Sequence, residues 1–228
     1  MKKYDTILFD ADGTLFDFLA SEREALILAL RRFSVDVDEE GIRLYSQIND
    51  SLWKALERGE IEKDVLRVRR FEIFGREYGF TCDFDALSYA YTDALTEQMF
   101  MIDGAVDICR SLSKKYRMYI VTNGIEYVQR TRFERSPIKD FFDGVFISGE
   151  VGYEKPDIRF FKTVEDRIPD FSKEKTIIIG DSLTSDMKGG LNFGIDCCYY
   201  NPEGKKPPED MAIKYTITEL SELLEILK

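Results

Sequence analysis

Carboxylates follow two strand-like segments of this sequence, and their spacing is the first indication of chemistry. Asp10 and Asp12 are separated by one residue directly after an apolar run, and Asp181 and Asp186 follow a second apolar run. Carboxylates brought together at one edge of a sheet would need a counter-cation, because like charges at short range repel each other. Oxygen ligands favour a hard ion, so the pattern indicates Mg²⁺.

The absence of histidine restricts the choice of nucleophile. The 228 residues include no histidine, which excludes Ser-His-Asp and Cys-His catalysis and histidine zinc sites. A serine or threonine nucleophile would lack its base, whereas an aspartate is ionised at neutral pH and can form an aspartyl-phosphate. Two aspartates separated by one residue can divide the work. One attacks phosphorus, and the other protonates the leaving oxygen and then deprotonates water.

The polar residues after other strand-like runs suit a phosphoryl group. Thr122 offers a hydroxyl, Asn123 and Gly124 offer backbone amides at the start of a predicted helix, and Lys155 offers a positive charge. Each of these sets by itself also fits an ordinary turn, a helix cap or a solvated lysine. Their combination in one chain favours a phosphoryl-transfer site over those separate roles.

These residues need a parallel sheet to bring them together, and the hydrophobic pattern predicts one. Most of the strand-like runs are continuously apolar, as expected for strands that are buried on both faces. The runs cover residues 6–9, 118–121, 145–148, 176–179, 197–200 and 215–217. Helix-like segments alternate with them at residues 105–115, 126–135, 158–167, 185–193 and 219–228. We therefore predict an α/β fold with a doubly wound parallel sheet, in which ligands bind at the carboxyl ends of the strands.

An inserted segment interrupts this alternation directly after the first strand. It contains no convincing strand, and residues 22–33, 39–58, 63–78 and 84–99 have the pattern of amphipathic helices. We predict a core of residues 1–15 and 100–228, with an all-helical cap domain inserted at residues 16–99. The arginines at positions 67, 69 and 70 are interpreted as a solvated, ion-paired helix face.

Composition narrows the classes of partner. The net charge of −11 disfavours binding to a nucleic acid polymer, and 44% hydrophobic residues are enough to bury a core. No apolar run approaches the length of a membrane span and no signal-peptide pattern is visible, so we expect a cytoplasmic protein with no membrane partner. The sequence carries no signal for an oligomeric state. The four cysteines form no C-x-x-C pair and are expected to be free thiols.

Four of these segments together resemble the motifs of the haloacid dehalogenase (HAD) superfamily. They are Asp10-x-Asp12-Gly13-Thr14, Thr122-Asn123, Lys155-Pro156 and Gly180-Asp181-x4-Asp186, in the order of the family. The helical insert after the first motif is similar to the C1 cap of the family, so the resemblance spans nearly the whole chain. One such motif is weak, because Asp-x-Asp is common in an acidic protein, but four in order are a strong signal.

The resemblance implies catalytic roles for several residues. Asp10 would be the nucleophile, Asp12 the general acid and base, and Lys155 the residue that stabilises the charge of the phosphate. Thr122 would donate to the phosphoryl group, and Asn123 belongs to the same phosphate-binding motif. Because the true dehalogenases generally lack an aspartate at the second position, Asp12 indicates a phosphatase or a phosphomutase.

The resemblance also implies a magnesium site. Asp10, the backbone carbonyl of Asp12 and Asp181 would hold the Mg²⁺ ion. Asp186 would support the water molecules of the metal from outside the coordination sphere.

Three longer segments, at residues 9–16, 147–152 and 180–186, resemble the YjjG-type branch, the bacterial pyrimidine 5′-nucleotidases. This resemblance predicts a Mg²⁺-dependent phosphomonoester hydrolase that acts on a small phosphorylated metabolite, a nucleoside monophosphate. Phe16 and Phe18 are candidates to stack on its base. The alternatives are a sugar-phosphate or phosphoglycolate phosphatase or a β-phosphoglucomutase-like enzyme on the same scaffold. A protein that binds phosphorylated metabolites without turnover is disfavoured, because all four motifs are intact.

Overall fold

The computed structural model describes residues 3–228 and divides the chain into two compact units. Within the described residues, the α/β unit consists of residues 3–17 and Met101–Lys228, and the helical unit is Phe18–Phe100. Residues 1 and 2, which the sequence analysis assigns to the core, lie outside the described residues.

The α/β unit is built on a six-stranded sheet in the order β3-β2-β1-β4-β5-β6, in which every neighbouring pair is parallel. The strands are β1 (Thr6–Phe9), β2 (Arg117–Thr122), β3 (Gly144–Ile147), β4 (Thr176–Gly180), β5 (Asp196–Tyr200) and β6 (Tyr215–Ile217). The central strand β1 pairs with both β2 and β4, and this order is that of a doubly wound sheet. The predicted fold class is confirmed.

Helices connect and cover the strands of this sheet. They are α5 (Ala105–Leu112), α6 (Glu126–Arg135), α7 (Ser148–Val151), α8 (Ile158–Arg167), α9 (Lys188–Phe193) and α10 (Leu223–Ile226). A π-helical turn, Leu183–Met187, precedes α9, where the sequence analysis places one continuous helix from residue 185. Because helices cover the sheet, Leu8 and Ile178 are completely buried in one cluster with Phe160 and Phe161 of α8. This burial explains why the strands read as continuous apolar runs.

The helical unit contains four helices, as the sequence analysis predicts for the insert. They are α1 (Phe18–Arg31), α2 (Glu39–Glu57), α3 (Lys63–Tyr78) and α4 (Phe84–Thr96). Asp38 and Asp83 cap α2 and α4 by accepting hydrogen bonds from the backbone N–H groups of Gly41 and Ala86.

The core of the helical unit is aromatic and contains one buried arginine. Tyr45, Phe71 and Tyr91 pack against one another with ring centroids 5.3 to 5.6 Å apart. Arg70 lies beside these rings and donates to the Oδ1 of Asn49 at 3.0 Å. The interpretation of the arginine run as a solvated face is therefore wrong for Arg70, because its side chain is buried beside aromatic rings.

Among residues 3–228, no helix combines the length and the apolar character that a membrane crossing requires.

The four cysteines are free thiols, and they should differ sharply in reactivity. Burial raises the pKa of Cys109, Cys197 and Cys198 to about 12, whereas Cys82 is only half-buried. Because the thiolate is the reactive form, we expect an alkylating reagent to modify Cys82 first and the other three only after unfolding. Timed alkylation followed by mass spectrometry measures this order, and Cys82→Ser should remove the fast phase. Rapid native labelling of Cys197 would contradict the buried placement.

Candidate active site

Three aspartates meet at the carboxyl edge of the sheet. Phe9 of β1 lies opposite Ile179 of β4, so the residues that follow the two strands emerge side by side. The backbone N–H of Asp10 donates to the carbonyl of Ile179 at 2.9 Å, which continues the ladder by one residue. One carboxylate oxygen of each of Asp10, Asp181 and Asp186 lies within 4.8 Å of the others. We call these three residues the carboxylate cluster.

Lys155 is buried within the carboxylate cluster. Its Nζ donates to Oδ1 of Asp10 at 2.6 Å, to Oδ1 of Asp186 at 2.6 Å and to the carbonyl of Val121 at 2.7 Å. The ammonium group therefore connects the ends of β1, β2 and β4. An ammonium group buried without such partners would be strongly destabilising, so these contacts determine where Lys155 lies.

Asn123 holds the backbone of Lys155 in place. Its side-chain Nδ2 donates to the Lys155 carbonyl at 2.7 Å, and its Oδ1 accepts from the Lys155 N–H at 2.8 Å. The neighbouring Thr122 is buried, and its hydroxyl accepts from the N–H of Gly124 at 3.1 Å. Thr122 and Asn123, both predicted to bind phosphate, thus lie at the end of β2 and in the turn after it, and Asn123 positions the backbone of the lysine.

Asp181 and Asp186 accept hydrogen bonds from groups other than Lys155. Oδ1 of Asp181 accepts from the hydroxyl of Thr14 at 3.1 Å. Oδ2 of Asp186 accepts from the N–H of Ser182 at 3.1 Å, across the π-helical turn that precedes α9. The family resemblance implies a place for Asp186 outside the metal's coordination sphere, and in the structure Asp186 lies in direct contact with Lys155.

Gly13 allows the loop after β1 to approach Asp181. Its φ of +80° lies in the left-handed region, and a Cβ at this position would overlap the Asp181 carboxylate. A residue with a side chain would be strained in this backbone conformation and would displace the carboxylate.

Burial dominates the electrostatics of the cluster. It raises the pKa of Asp10 well above the usual value, and Asp186 adds to this effect while Lys155 opposes it. The pKa of Asp181 is raised to about 7, mainly by burial and then by Asp186. Burial disfavours the charged form of Lys155, but the charges of Asp10 and Asp186 outweigh it and raise the pKa of Lys155. The all-oxygen cluster holds three carboxylates against one ammonium group, and it therefore fits a further hard cation.

The carboxylate of Asp12 is bound by two side chains of α6. Its Oδ1 accepts from Nη1 of Arg132 at 2.6 Å, and its Oδ2 accepts from Nε2 of Gln129. Arg132 is completely buried, with its guanidinium 4.7 Å from the centre of the Phe16 ring. The expectation that Phe16 stacks on a base is therefore wrong, because the ring is buried and packs against Arg132.

Sequence reasoning did not identify Gln129 and Arg132 as parts of the site. They are three residues apart on α6 and so share one helix face. That relation is visible in the predicted helix 126–135. The sequence does not show that this face meets the loop after β1.

The sequence-family model of the haloacid dehalogenase-like hydrolases matches residues 4–194 of the chain. The protein belongs to this family. The HAD-hydrolase YfnB of Bacillus subtilis is 40% identical over 227 residues, which are 100% of this chain and 97% of YfnB. A crystal structure of YfnB bound to magnesium has a TM-score of 0.95 at 39% identity, and each chain covers 100% of the other.

Two further relatives of this HAD hydrolase are pyrimidine 5′-nucleotidases. PynA of Streptococcus pneumoniae is 37% identical over 225 residues, or 98% of this chain and 95% of PynA. YjjG of Escherichia coli is 31% identical over 225 residues, or 99% of this chain and 98% of YjjG. The predicted family resemblance and the prediction of a phosphatase enzyme are confirmed.

The raised pKa values of the Asp10 and Asp181 carboxyl groups predict that the metal-free HAD hydrolase loses stability as the pH rises. A carboxyl group whose pKa is higher in the folded than in the unfolded state stabilises the fold most when it is protonated. This stabilisation is complete below the unfolded value and is lost as the pH rises through the folded value, which for Asp181 is about 7. We expect the free energy of unfolding, measured with urea and a chelator, to fall between about pH 5 and about pH 8.

The variant Asp181→Asn tests the source of this dependence. It removes the titrating group, so the pH dependence should become shallower. An unchanged pH dependence in the variant would show that Asp181 does not titrate in this range.

Proposed function

We propose that this HAD hydrolase is a Mg²⁺-dependent phosphomonoesterase that acts through an aspartyl-phosphate on Asp10. The observation that carries the proposal is the buried carboxylate cluster around Lys155. Lys155 donates to Oδ1 of Asp10, so we assign the attack on phosphorus to Oδ2. The loss of the ester oxygen from phosphorus accompanies this attack.

Asp10, Asp181 and the backbone carbonyl of Asp12 would hold the Mg²⁺ ion, with Asp186 beside them. The donors are all oxygens, as Mg²⁺ prefers. When bound, the ion offsets the negative charge of the cluster and of the phosphate, so that a dianionic substrate can approach the nucleophile.

Asp12 carries the proton in both chemical steps. Asp12 enters the first step protonated and gives its proton to the leaving oxygen as the aspartyl-phosphate forms. The resulting carboxylate then takes a proton from the water that attacks the same phosphorus, which restores the protonated form for the next cycle. The second step releases inorganic phosphate and restores the Asp10 carboxylate. Lys155 stabilises the negative charge on the transferring group, and the Thr122 hydroxyl donates to one of its oxygens.

We propose a nucleoside 5′-monophosphate as the substrate, with pyrimidine deoxynucleotides preferred. Support comes from PynA and YjjG, two pyrimidine 5′-nucleotidases that align with nearly the whole chain. The alignments include the helical unit, Phe18–Phe100, which the family resemblance identifies as the cap. The cap is the part of the chain that distinguishes phosphatases built on this scaffold.

Asp10 is tested against a matched aspartate at the opposite end of β1. Asp10→Asn should abolish hydrolysis of 4-nitrophenyl phosphate in Mg²⁺ and remove the hydroxylamine-sensitive phosphoenzyme, because an amide is a poor nucleophile. Asp5→Asn changes a partly exposed residue paired with Lys175 and should retain wild-type turnover. Excess chelator should abolish wild-type activity, and added Mg²⁺ should restore it. Near wild-type rates in Asp10→Asn would refute the nucleophile assignment.

The substrate is tested with a panel of phosphate esters. We expect kcat/KM for deoxyuridine and thymidine 5′-monophosphates to exceed that for 2-deoxyribose 5-phosphate by about tenfold or more, because base stacking contributes about 1–3 kcal/mol. The control is matched, since 2-deoxyribose 5-phosphate has the sugar and phosphate of these nucleotides without the base. A clear preference for a hexose phosphate or phosphoglycolate would reject the nucleotidase proposal and leave the phosphatase intact.

A further inference from the structure

The carboxylate of Asp12 is held at both oxygens by side chains that no motif of the sequence analysis includes. We infer that Gln129 and Arg132 are positioning residues, which orient Asp12 for proton transfer. The inference rests on the proposed role of Asp12 as the general acid and base.

The geometry fixes the plane of the carboxylate. Arg132 donates to Oδ1 and Gln129 donates to Oδ2, from positions one turn apart on a single helix. One donor would leave the carboxylate free to rotate about its Cβ–Cγ bond. Two donors on different oxygens hold that rotation, and α6 sets the spacing between them.

Arg132 is itself tightly restrained. Its side chain is 0% exposed, while that of Asp12 is 22% exposed. The guanidinium lies 4.7 Å from the centre of the Phe16 ring, which supports it by a cation–π contact. Burying an arginine is destabilising unless its charge is paired, and Asp12 is a carboxylate that pairs it. The partly exposed carboxylate is thus fixed by a buried anchor.

The position of Gln129 depends on the turn after β2. Its side chain covers Gly124 so closely that a Cβ at position 124 would overlap it. The same turn contains Thr122 and Asn123, the proposed phosphate-binding residues. The phosphate-binding turn and the donor for Asp12 are therefore built as one unit.

A neighbouring arginine on α6 offers a contrast. Arg130 forms an ion pair with Glu150 in which the two side chains are 39% and 30% exposed. Exposed pairs of this kind contribute little to stability, and this one does not involve Asp12. Arg130 therefore provides a control of the same residue type on the same helix.

The dependence on the leaving group separates positioning from a merely structural role. A nucleoside leaves as a poor alkoxide unless it is protonated, whereas 4-nitrophenolate leaves readily without a proton. Since kcat/KM reports the steps up to formation of the phosphoenzyme, a misplaced Asp12 should lower kcat/KM for the nucleotide and largely spare that for the aryl phosphate. Loss of folded protein would lower both by the same factor.

The experiment compares Arg132→Lys, Gln129→Met and Arg130→Ala with the wild type in saturating Mg²⁺. For Arg132→Lys, we expect kcat/KM for thymidine 5′-monophosphate to fall about 10²-fold and that for 4-nitrophenyl phosphate to change by less than about threefold. Gln129→Met should show the same selective loss with a smaller size, and it serves as the test if Arg132→Lys does not fold. Arg130→Ala should match the wild type with both substrates.

The outcomes distinguish this inference from the proposed function. Equal losses with both substrates, or no loss in either variant, would overturn the positioning role while the phosphatase stands. A wild-type protein without Mg²⁺-dependent hydrolysis of either ester would overturn the proposed function, and the inference would fall with it.

Discussion

The contact of the Lys155 ammonium with the carboxylates of Asp10 and Asp186 is the interaction on which the rest of the site depends. Three strands end at one sheet edge, and two of them bring carboxylates that would repel one another. Lys155 binds both carboxylates and the carbonyl of Val121, so one positive charge connects the three strand ends. The charge that remains unbalanced is the physical reason why the cluster fits a further cation.

The site at this sheet edge also requires loops to approach each other closely, and two glycines make this possible. Gly13 allows Asp181 to lie against the loop after β1, and Gly124 allows Gln129 to lie over the turn after β2. The first contact brings Asp181 within hydrogen-bonding distance of Thr14, and the second accompanies the hydrogen bond from Gln129 to Asp12. The site is therefore assembled by backbone shape as much as by the charged side chains.

The helical unit shows where patterns of charge mislead. In the arginine run of α3, Arg69 pairs with Glu72 on the surface as the sequence analysis predicts, but Arg70 is buried beside Tyr91. Asn49 accepts from Arg70 and donates to the buried Glu22, which forms a polar chain through an aromatic core. Helical periodicity identifies a helix, but it does not show which of its charged residues is buried with polar partners in the core.

The sequence by itself determined the parallel sheet, the four-helix insert and the family, because apolar periodicity and motif order are local properties of the chain. It also identified Asp10, Asp181 and Lys155 as residues that follow strands, and the strand order brings them together. Only the tertiary structure revealed that Arg132 binds Asp12, because that contact joins residues far apart in sequence through the packing of α6. The residues that share one face of a helix can be read from their spacing in the sequence. The segment against which that face packs depends on the strand order and on which surfaces are buried away from water.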